Sequence, residues 1–382
     1  MKKILALILT LSVLLTACGK KTPESQKGIT YDGYDGPKDA VMTVNGETVS
    51  VDEFNYFLIM ASYDIAAAND VVKSDRSGFW DKIDEETGKS YKQKALDDAI
   101  EKCKPYHIYR TEAKAEKVEL SEEDKKGVTE RANKMKDTYG EYMNELQLKA
   151  GGLTPAVYED ITEMSQYSVN LYDKFKSEYG EPSEDVIKKY YKDNYARAKN
   201  ILVLTVDTET NEALPDDKKQ EALRKIMEVK TKLDEGEDFE NLINEYNEDP
   251  GYDKYPDGYT FTKDDSYSKN FMDTAFSLKE GEVSDIVETE YGYMIIKRDI
   301  LLDEYMSSEA ISEKIVKNAF QEKLDKLCAD ADIRLNKSVY DSVDVEKVLS
   351  DYLNSQDEIM SKIQAEYEKI YAEEGKKPEE QQ

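Results

Sequence analysis

The chain offers few residues for acid–base, nucleophilic or metal chemistry, because it contains a single histidine, His107, in a segment of helical spacing. A lone histidine on a helix is more often a packing residue than a catalyst. No Ser–His–Asp triad, His-rich metal site or phosphate-binding loop can be assembled from the sequence. We therefore expect a function that needs no metal and no cofactor.

Four stretches in the middle of the chain place amides, carboxylates and aromatic rings along short apolar segments. In order, they are residues 198–203 (AKNILV), 246–251 (YNEDPG), 270–284 (NFMDTAFSLKEGEVS) and 291–297 (YGYMIIK). Together they resemble the parvulin family of peptidyl-prolyl isomerases. The FxxxAFxLxxGEVS pattern that begins at Phe271 is the most specific part of this resemblance.

Parvulin-type chemistry suits a chain that is poor in generic catalysts. Rotation about an X–Pro bond crosses a barrier of roughly 18–20 kcal/mol, because amide resonance is lost midway. An apolar pocket that holds the proline ring and removes water from the amide favours the less polar twisted state. The resemblance therefore implies an isomerase that needs neither a nucleophile nor a metal.

Five residues match the positions of the family's pocket, so the resemblance assigns each of them a role. Phe271 matches the phenylalanine that grips the proline ring, and Tyr267 stands where the family commonly has methionine; both are candidate substrate-binding residues. Asp249 matches the cysteine or aspartate near the twisting carbonyl. Asn200 and Met294 stand at the positions of the family's paired histidines, and with Asp249 they are the candidate catalytic residues.

Several of these positions also have a simpler interpretation. Phe271 and Phe276 would both fill a core, Asp249 would shape the turn that follows it, and Met294 would be core filling as well. Asparagine still donates and accepts hydrogen bonds, whereas methionine offers only a weak acceptor. We therefore expect the isomerase activity to be weak even where the fold is retained.

The periodicities predict an α+β fold. Residues 196–300 alternate strand-like and helix-like periods, whereas both flanks are helical almost throughout. We expect a mainly helical, chaperone-like lobe built from residues 41–195 and 301–372. A parvulin-like four-stranded sheet flanked by helices, at residues 196–300, is then inserted into this lobe.

Local signals predict several details of the lobe. Asn45 and Gly46 indicate a hairpin, and Ser50 is placed to cap a helix with Glu53 as its capping-box partner. Pro105 predicts a kink or break in the helix from about residue 92 to 118, and another helix is expected from Ser121 to about residue 148. The tail at 373–382 is expected to be disordered.

The N-terminus has the features of an export signal: a basic start, a short apolar run and small residues ahead of Cys18. This stretch resembles the bacterial lipobox, which implies that residues 1–17 are a lipoprotein signal peptide and that Cys18 carries lipid. The alternative is an ordinary signal peptide with a chance cysteine. Residues 18–40, rich in glycine and proline, predict a flexible tether. We expect the protein on the extracytoplasmic face of the cell membrane.

The surroundings of the central module resemble the PrsA-type foldase lipoproteins, with a SurA-like helical N-terminal region. This resemblance implies unfolded or partly folded exported proteins, and their proline-containing segments, as partners. With 82 acidic and 53 basic residues, the net charge of -29 repels phosphates and argues against a nucleic-acid partner.

Some alternatives stay open at the level of sequence. A non-enzymatic holdase or assembly scaffold would share the same features, whereas a solute-binding lipoprotein would need two α/β lobes and the sequence has one. Cys103 and Cys328 are either two buried thiols or a disulfide. The oligomeric state is open, and a homodimer through the helical lobe is one alternative.

Overall fold

The structure, a computed structural model, describes residues 29–134, 154–210, 212–303 and 307–373. These residues form two compact units. The first holds the described residues up to Tyr179 and from Lys317 onward, and the second holds Gly180–Val316. Helices dominate the first unit and a helix-flanked antiparallel sheet the second, so the predicted α+β class is confirmed.

The bounds of the elements are as follows. The strands are β1 Ile29–Thr30, β2 Ala40–Val44, β3 Glu47–Ser50, β4 Tyr195–Leu204, β5 Tyr259–Thr262, β6 Val287–Glu288, β7 Gly292–Asp299 and β8 Ile333–Leu335. The helices are α1 Val51–Ala68, α2 Tyr91–Glu116, α3 at residues 122–134, α4 Pro155–Tyr179, α5 Glu184–Asn194, α6 Asp216–Asp234, α7 Phe239–Tyr246, α8 Lys269–Ser277, α9 Ser308–Ala329, α10 Lys337–Tyr340 and α11 Val345–Glu373.

A small four-stranded sheet joins the two ends of the chain in the first unit. Its order is β1-β8-β2-β3; β1 runs parallel to β8, and the other neighbours are antiparallel. Asn45 and Gly46 make the predicted hairpin turn with φ angles of 50° and 82°. All five residues of β2 are buried. Residues from both chain ends therefore build this unit.

The predicted flexible tether at residues 18–40 is too long. Ile29 and Thr30 pair with Ile333 and Arg334, and Arg334 Nη1 donates a hydrogen bond to the carbonyl of Gly33 at 2.9 Å. Such backbone partners fix a segment whose glycine and proline content alone indicates a coil. Residues 18–28 lie outside the described residues, as do the predicted signal peptide and Cys18.

The first turn of α1 differs from the predicted capping box. Ser50 Oγ accepts a hydrogen bond from the Glu53 amide at 3.1 Å, as expected of a cap. The Glu53 carboxylate turns inward instead, and its Oε1 lies 2.8 Å from His107 Nε2. Both side chains are buried. The single histidine is thus a fully buried partner of a carboxylate rather than a partly buried packing residue.

Helix α2 passes through Pro105 without a break. Proline removes one backbone donor, but the residues around it, from Cys103 to Tyr109, are buried against the rest of the unit. Of the predicted kink or break at Pro105, the break is wrong, because this packing outweighs one lost hydrogen bond. Cys103 and Cys328 are buried thiols, which is the first of the two alternatives.

Other predictions fall partly outside the described residues. The helix expected from Ser121 is helical over 122–134, and its remainder to residue 148 lies outside, as does the tail from residue 374. Among the residues that the structure describes, we find no helix that is both long and apolar enough to span a bilayer.

The sheet of the second unit has the order β5-β4-β7-β6, and all its strands are antiparallel. The apolar run of β4 is buried on both faces. Ile201 and Val203 contribute to a core with α6 and α7 on one face, whereas Leu202 and Met294 contribute to a core with α8 on the other. Because successive side chains of a strand alternate between faces, this second face is where the site is built.

Candidate active site

A cavity of about 260 Å³ opens on the α8 side of the sheet. All five residues predicted from the sequence line it: Asn200, Asp249, Tyr267, Phe271 and Met294. The other lining residues are Leu202, Leu204, Val206, Thr208, Pro250, Tyr259, Ser268 and Tyr291. Asp249 is the one carboxylate among them. A mostly apolar cavity with a few convergent polar groups is typical of a ligand site.

Strand register places Asn200 and Met294 on the same face of the sheet, toward the cavity. Leu202 pairs with Met294 and Asn200 with Ile296 in the β4–β7 ladder. Residues 200 and 202 lie on the same face of β4, so Met294 is a diagonal neighbour of Asn200. The first and last long strands of the module therefore both contribute to the floor of the cavity.

The loop that carries Asp249 docks on β4 beyond the end of β5. The Leu202 amide donates to Asn247 Oδ1 at 2.8 Å, and the Glu248 amide donates to the Leu202 carbonyl at 2.8 Å. Glu248 Oε2 accepts from the Leu204 amide at 2.7 Å. The loop thus satisfies backbone groups of β4 and holds Asp249 over the cavity.

Asp249 accepts hydrogen bonds on both carboxylate oxygens. Oδ1 accepts from the Gly251 amide at 2.8 Å, which is the turn-shaping contact. Oδ2 accepts from Asn200 Nδ2 at 3.0 Å and from the Tyr259 hydroxyl at 3.0 Å. The Asp249 side chain therefore shapes the turn with one oxygen and accepts hydrogen bonds in the cavity with the other, so the two interpretations are compatible.

Tyr259 approaches this loop closely because residue 251 is a glycine. A Cβ added at Gly251 would collide with the Tyr259 hydroxyl oxygen. Burial, followed by the nearby Asp249 carboxylate, raises the pKa of Tyr259 above its usual value. The hydroxyl therefore keeps its proton and can donate a hydrogen bond to Asp249.

Aromatic rings form the opposite wall of the cavity. The Phe271 ring lies 5.2 Å from that of Phe261 and 6.3 Å from that of Tyr259. Tyr267 packs against Phe261 at 5.4 Å and is 40% exposed, so it stands at the rim. Phe271 is 4% exposed and also lines the cavity. Phe276 packs on Phe261 but does not line the cavity.

Met294 belongs to the core and also lines the cavity. It is 6% exposed, belongs to the core on the α8 face, and presents part of its side chain to the cavity. The hydrogen bonds to Asp249 come from Asn200, Gly251 and Tyr259. The cavity floor is thus apolar at residue 294 and polar at residue 200.

Tyr259 is the residue that the sequence interpretation missed. The sequence does show Tyr259 and Phe261 alternating with threonines, a pattern typical of a strand. In the structure, this strand pairs Tyr259 with Ala198. Ala198 and Asn200 share a face of β4, so this register directs Tyr259 toward Asn200. A comparison of motif positions alone does not contain that information.

Comparison with known proteins agrees with this geometry. Residues 186–299 match the sequence model of the PPIC-type PPIase domain family. The match spans β4 to β7 and all five predicted site residues. It confirms the resemblance to the parvulin isomerases.

Two curated relatives share part of their length with this chain. The foldase protein PrsA of Geobacillus kaustophilus is 34% identical over 175 residues, which cover 42% of this chain and 56% of that protein. The foldase protein PrsA of Bacillus subtilis is 34% identical over 156 residues, which cover 39% of this chain and 48% of that protein. The chain therefore spans about half the length of the curated relatives it matches.

One solved structure aligns over most of its own length, but with a low TM-score. The crystal structure of PrsA from Bacillus subtilis aligns with 68% of this chain and 93% of that chain, at 23% identity and a TM-score of 0.23. This score is too low to support an argument, and the fold assignment rests on the strands and helices described above.

Proposed function

Because residues 186–299 belong to the PPIC-type PPIase domain family, we propose that the protein isomerises prolyl bonds in exported protein chains that have not finished folding. The observation that carries this proposal is that Phe271, Asp249 and Asn200 line one shared cavity. We also propose that lipid on Cys18 holds the protein at the extracytoplasmic face of the membrane, where such chains emerge. The similarity to foldase proteins supports this location.

The apolar wall accounts for part of the catalysis. A proline ring seated against Phe271, Leu202 and Met294 would displace water from the apolar wall beside its amide. The planar amide is the more polar state, because resonance places partial charges on its oxygen and nitrogen. Loss of water therefore raises the free energy of the planar state more than that of the twisted state.

The fixed Asp249 carboxylate adds an electrostatic contribution. In the planar amide the carbonyl oxygen carries partial negative charge, and this charge decreases as the C–N bond twists. A carboxylate beside that oxygen repels the planar state more than the twisted one, and the repulsion is strong in a cavity with little water. Hydrogen bonds from Asn200, Tyr259 and Gly251 hold the carboxylate in place for this role.

We further propose that the activity is weaker than in a parvulin with histidines at both paired positions. Asn200 retains one hydrogen bond to Asp249, but Met294 adds only apolar surface to the cavity. Catalysis comparable with that of a histidine-containing parvulin, in a proline-limited refolding assay, would contradict this part of the proposal.

The test compares two phenylalanines of α8. Phe271→Leu removes the ring that lines the cavity, and Phe276→Leu is the matched control because its ring packs nearby without lining the cavity. We expect kcat/KM for a proline-containing peptide to fall about tenfold or more in Phe271→Leu, equivalent to about 1.4 kcal/mol, and to change little in Phe276→Leu. Thermal unfolding of each variant checks that the fold is retained. Equal losses in the two variants would overturn the proposal.

A second candidate function is a non-enzymatic holdase that binds unfinished chains without isomerising their prolyl bonds. The observation that favours it is the pair Asn200 and Met294 on the cavity floor. A holdase that acts through the helical unit predicts that suppression of client aggregation persists in Phe271→Leu. Loss of both isomerisation and suppression in that variant would assign client binding to the cavity.

A further inference from the structure

The first unit contains a buried cluster of metal-ligating side chains that prolyl isomerisation does not use. Glu53 lies in the first turn of α1, and Cys103 and His107 lie four residues apart on α2. One ligand atom from each residue lies within 4.8 Å of the other two. Cys103 and His107 are 0% exposed, and Glu53 is 3% exposed.

Hydrogen bonds within the protein do not satisfy this cluster. Glu53 Oε1 lies 2.8 Å from His107 Nε2, but the other ring nitrogen, Nδ1, is buried without a hydrogen-bond partner. A buried polar atom without a partner is energetically costly, so native structures usually supply one. The imidazole therefore has binding capacity that its surroundings leave unused.

The donor set suits a zinc-like ion. Thiolate, imidazole and carboxylate are the three ligand types that zinc takes from proteins, and three protein ligands are the number in zinc sites whose fourth position holds a small molecule. Cys103 and His107 share one face of α2, because residues four apart on a helix are neighbours. Ligands from two helices would tie α1 to α2.

The charges of the three ligands also favour a divalent ion. A divalent ion with one thiolate, one carboxylate and a neutral imidazole is electrically neutral, which suits a buried site. The nearby Lys104 is already paired with Glu101 at 2.8 Å.

We propose that Glu53, Cys103 and His107 bind one zinc-like divalent ion in the core of the helical unit. The site is independent of the prolyl cavity, and its role is to fasten the first turn of α1 to the middle of α2. Because all three side chains are buried, the ion enters as the unit folds rather than by diffusion into the finished core.

The test refolds the full chain with Co²⁺ or Zn²⁺ and removes excess metal before measurement. We expect one metal per chain for the wild type, a cobalt–thiolate charge-transfer band, and a higher unfolding temperature for the metal-loaded protein. Cys103→Ser should lose the band. Cys328→Ser is the matched control because it removes the other buried thiol of this unit, and it should retain the band.

The wild type alone can overturn the proposal, so a variant that fails to fold does not protect it. Absence of the cobalt band in folded wild-type protein would contradict it, and so would a band that persists in Cys103→Ser. His107→Gln gives a second check, because it should weaken metal binding while the thiol is still present.

Discussion

Asp249 is the residue on which the proposed chemistry of the cavity depends. The sequence leaves two interpretations of it, a turn former and a pocket carboxylate, and the structure assigns one oxygen to each role. Oδ1 closes the turn with the Gly251 amide, and Oδ2 receives the two side-chain donors, Asn200 and Tyr259. A substitution at Asp249 would therefore change the loop and the pocket together, and the donors around it are better targets.

At the residue scale, we predict that Tyr259→Phe lowers isomerase activity without loss of the fold. The substitution removes the hydroxyl that donates to Asp249 Oδ2 but retains the ring that packs against Phe271. A hydrogen bond to a charged group contributes about 1.5–3 kcal/mol, and Asn200 and Gly251 still hold the carboxylate, so we expect kcat/KM to fall about tenfold.

The control for this prediction is Tyr255→Phe. Tyr255 is 41% exposed and its ring lies 5.2 Å from that of Tyr259, so it is a neighbouring tyrosine outside the cavity lining. Peptide isomerisation measured for both variants should separate them. Unchanged kcat/KM in Tyr259→Phe would show that Asp249 does not need this donor.

Sequence patterns predicted five of the thirteen residues that line the cavity, because the motifs that carry these five are local. Phe271 and Met294 each lie within a short run of recognisable spacing. Tyr259 could not be found in this way, since its contact with Asp249 depends on strand register and on the small size of Gly251. The Glu53–His107 contact was missed because a capping box was the local explanation for Glu53.

At the element scale, Glu116 connects three helices of the first unit. It lies at the end of α2, and its carboxylate pairs with Lys174 of α4 and, at 2.8 Å, with Lys323 of α9. These contacts, with Lys174 first, lower the pKa of Glu116 from 4.5 to about 2. A lowered pKa means that the folded state favours the charged carboxylate.

We predict a pH-dependent effect of Glu116→Gln on the stability of the helical unit. The contribution of Glu116 is fully present above pH 4.5 and is lost as the pH falls toward about 2, because the carboxylate then takes up a proton in both states. Wild type should exceed the variant in free energy of unfolding near neutral pH, and the difference should vanish near the lower pKa. Urea unfolding followed at several pH values measures it.

Glu122→Gln is the control for this pH dependence. Its carboxylate pairs with Lys125, but both side chains are largely exposed, and exposed pairs contribute little. Added salt should reduce the stability difference between wild type and Glu116→Gln. The Glu116 carboxylate is only partly buried, so salt ions screen its attraction to the two lysines. A wild-type advantage that stays constant down to the lowest pH would contradict the assignment.

Helices, strands and turns were predictable where the side chains of the element itself determine its structure. The apolar run of β4 and the Asn45–Gly46 hairpin were found because burial and turn chemistry are local. Strand β1 was not found, since a two-residue strand has no periodicity and its partner β8 lies some 300 residues later. The unbroken α2 shows the reverse case, in which packing overrides the local effect of Pro105.

At the scale of the whole molecule, the net charge of -29 should affect the rate at which unfolded client chains associate with the protein. We predict that an unfolded basic client associates faster than an acidic client of equal length at low salt. Raising the ionic strength should slow the basic client and accelerate the acidic one, because screening removes both attraction and repulsion. Stopped-flow association rates at two salt concentrations measure this, with a neutral client as control. Rates that do not depend on client charge would contradict it.

The pairing of β8 with β1 and β2 also has a consequence in time. A chain that is made and exported from its N-terminus presents all of residues 180–316 before residue 333 emerges, so the second unit can fold while the sheet of the first lacks β8. Until then the β8-facing edge of β2 has unpaired backbone groups, which invite contact with other chains. For that interval, a protein proposed to assist unfinished chains is itself one of them.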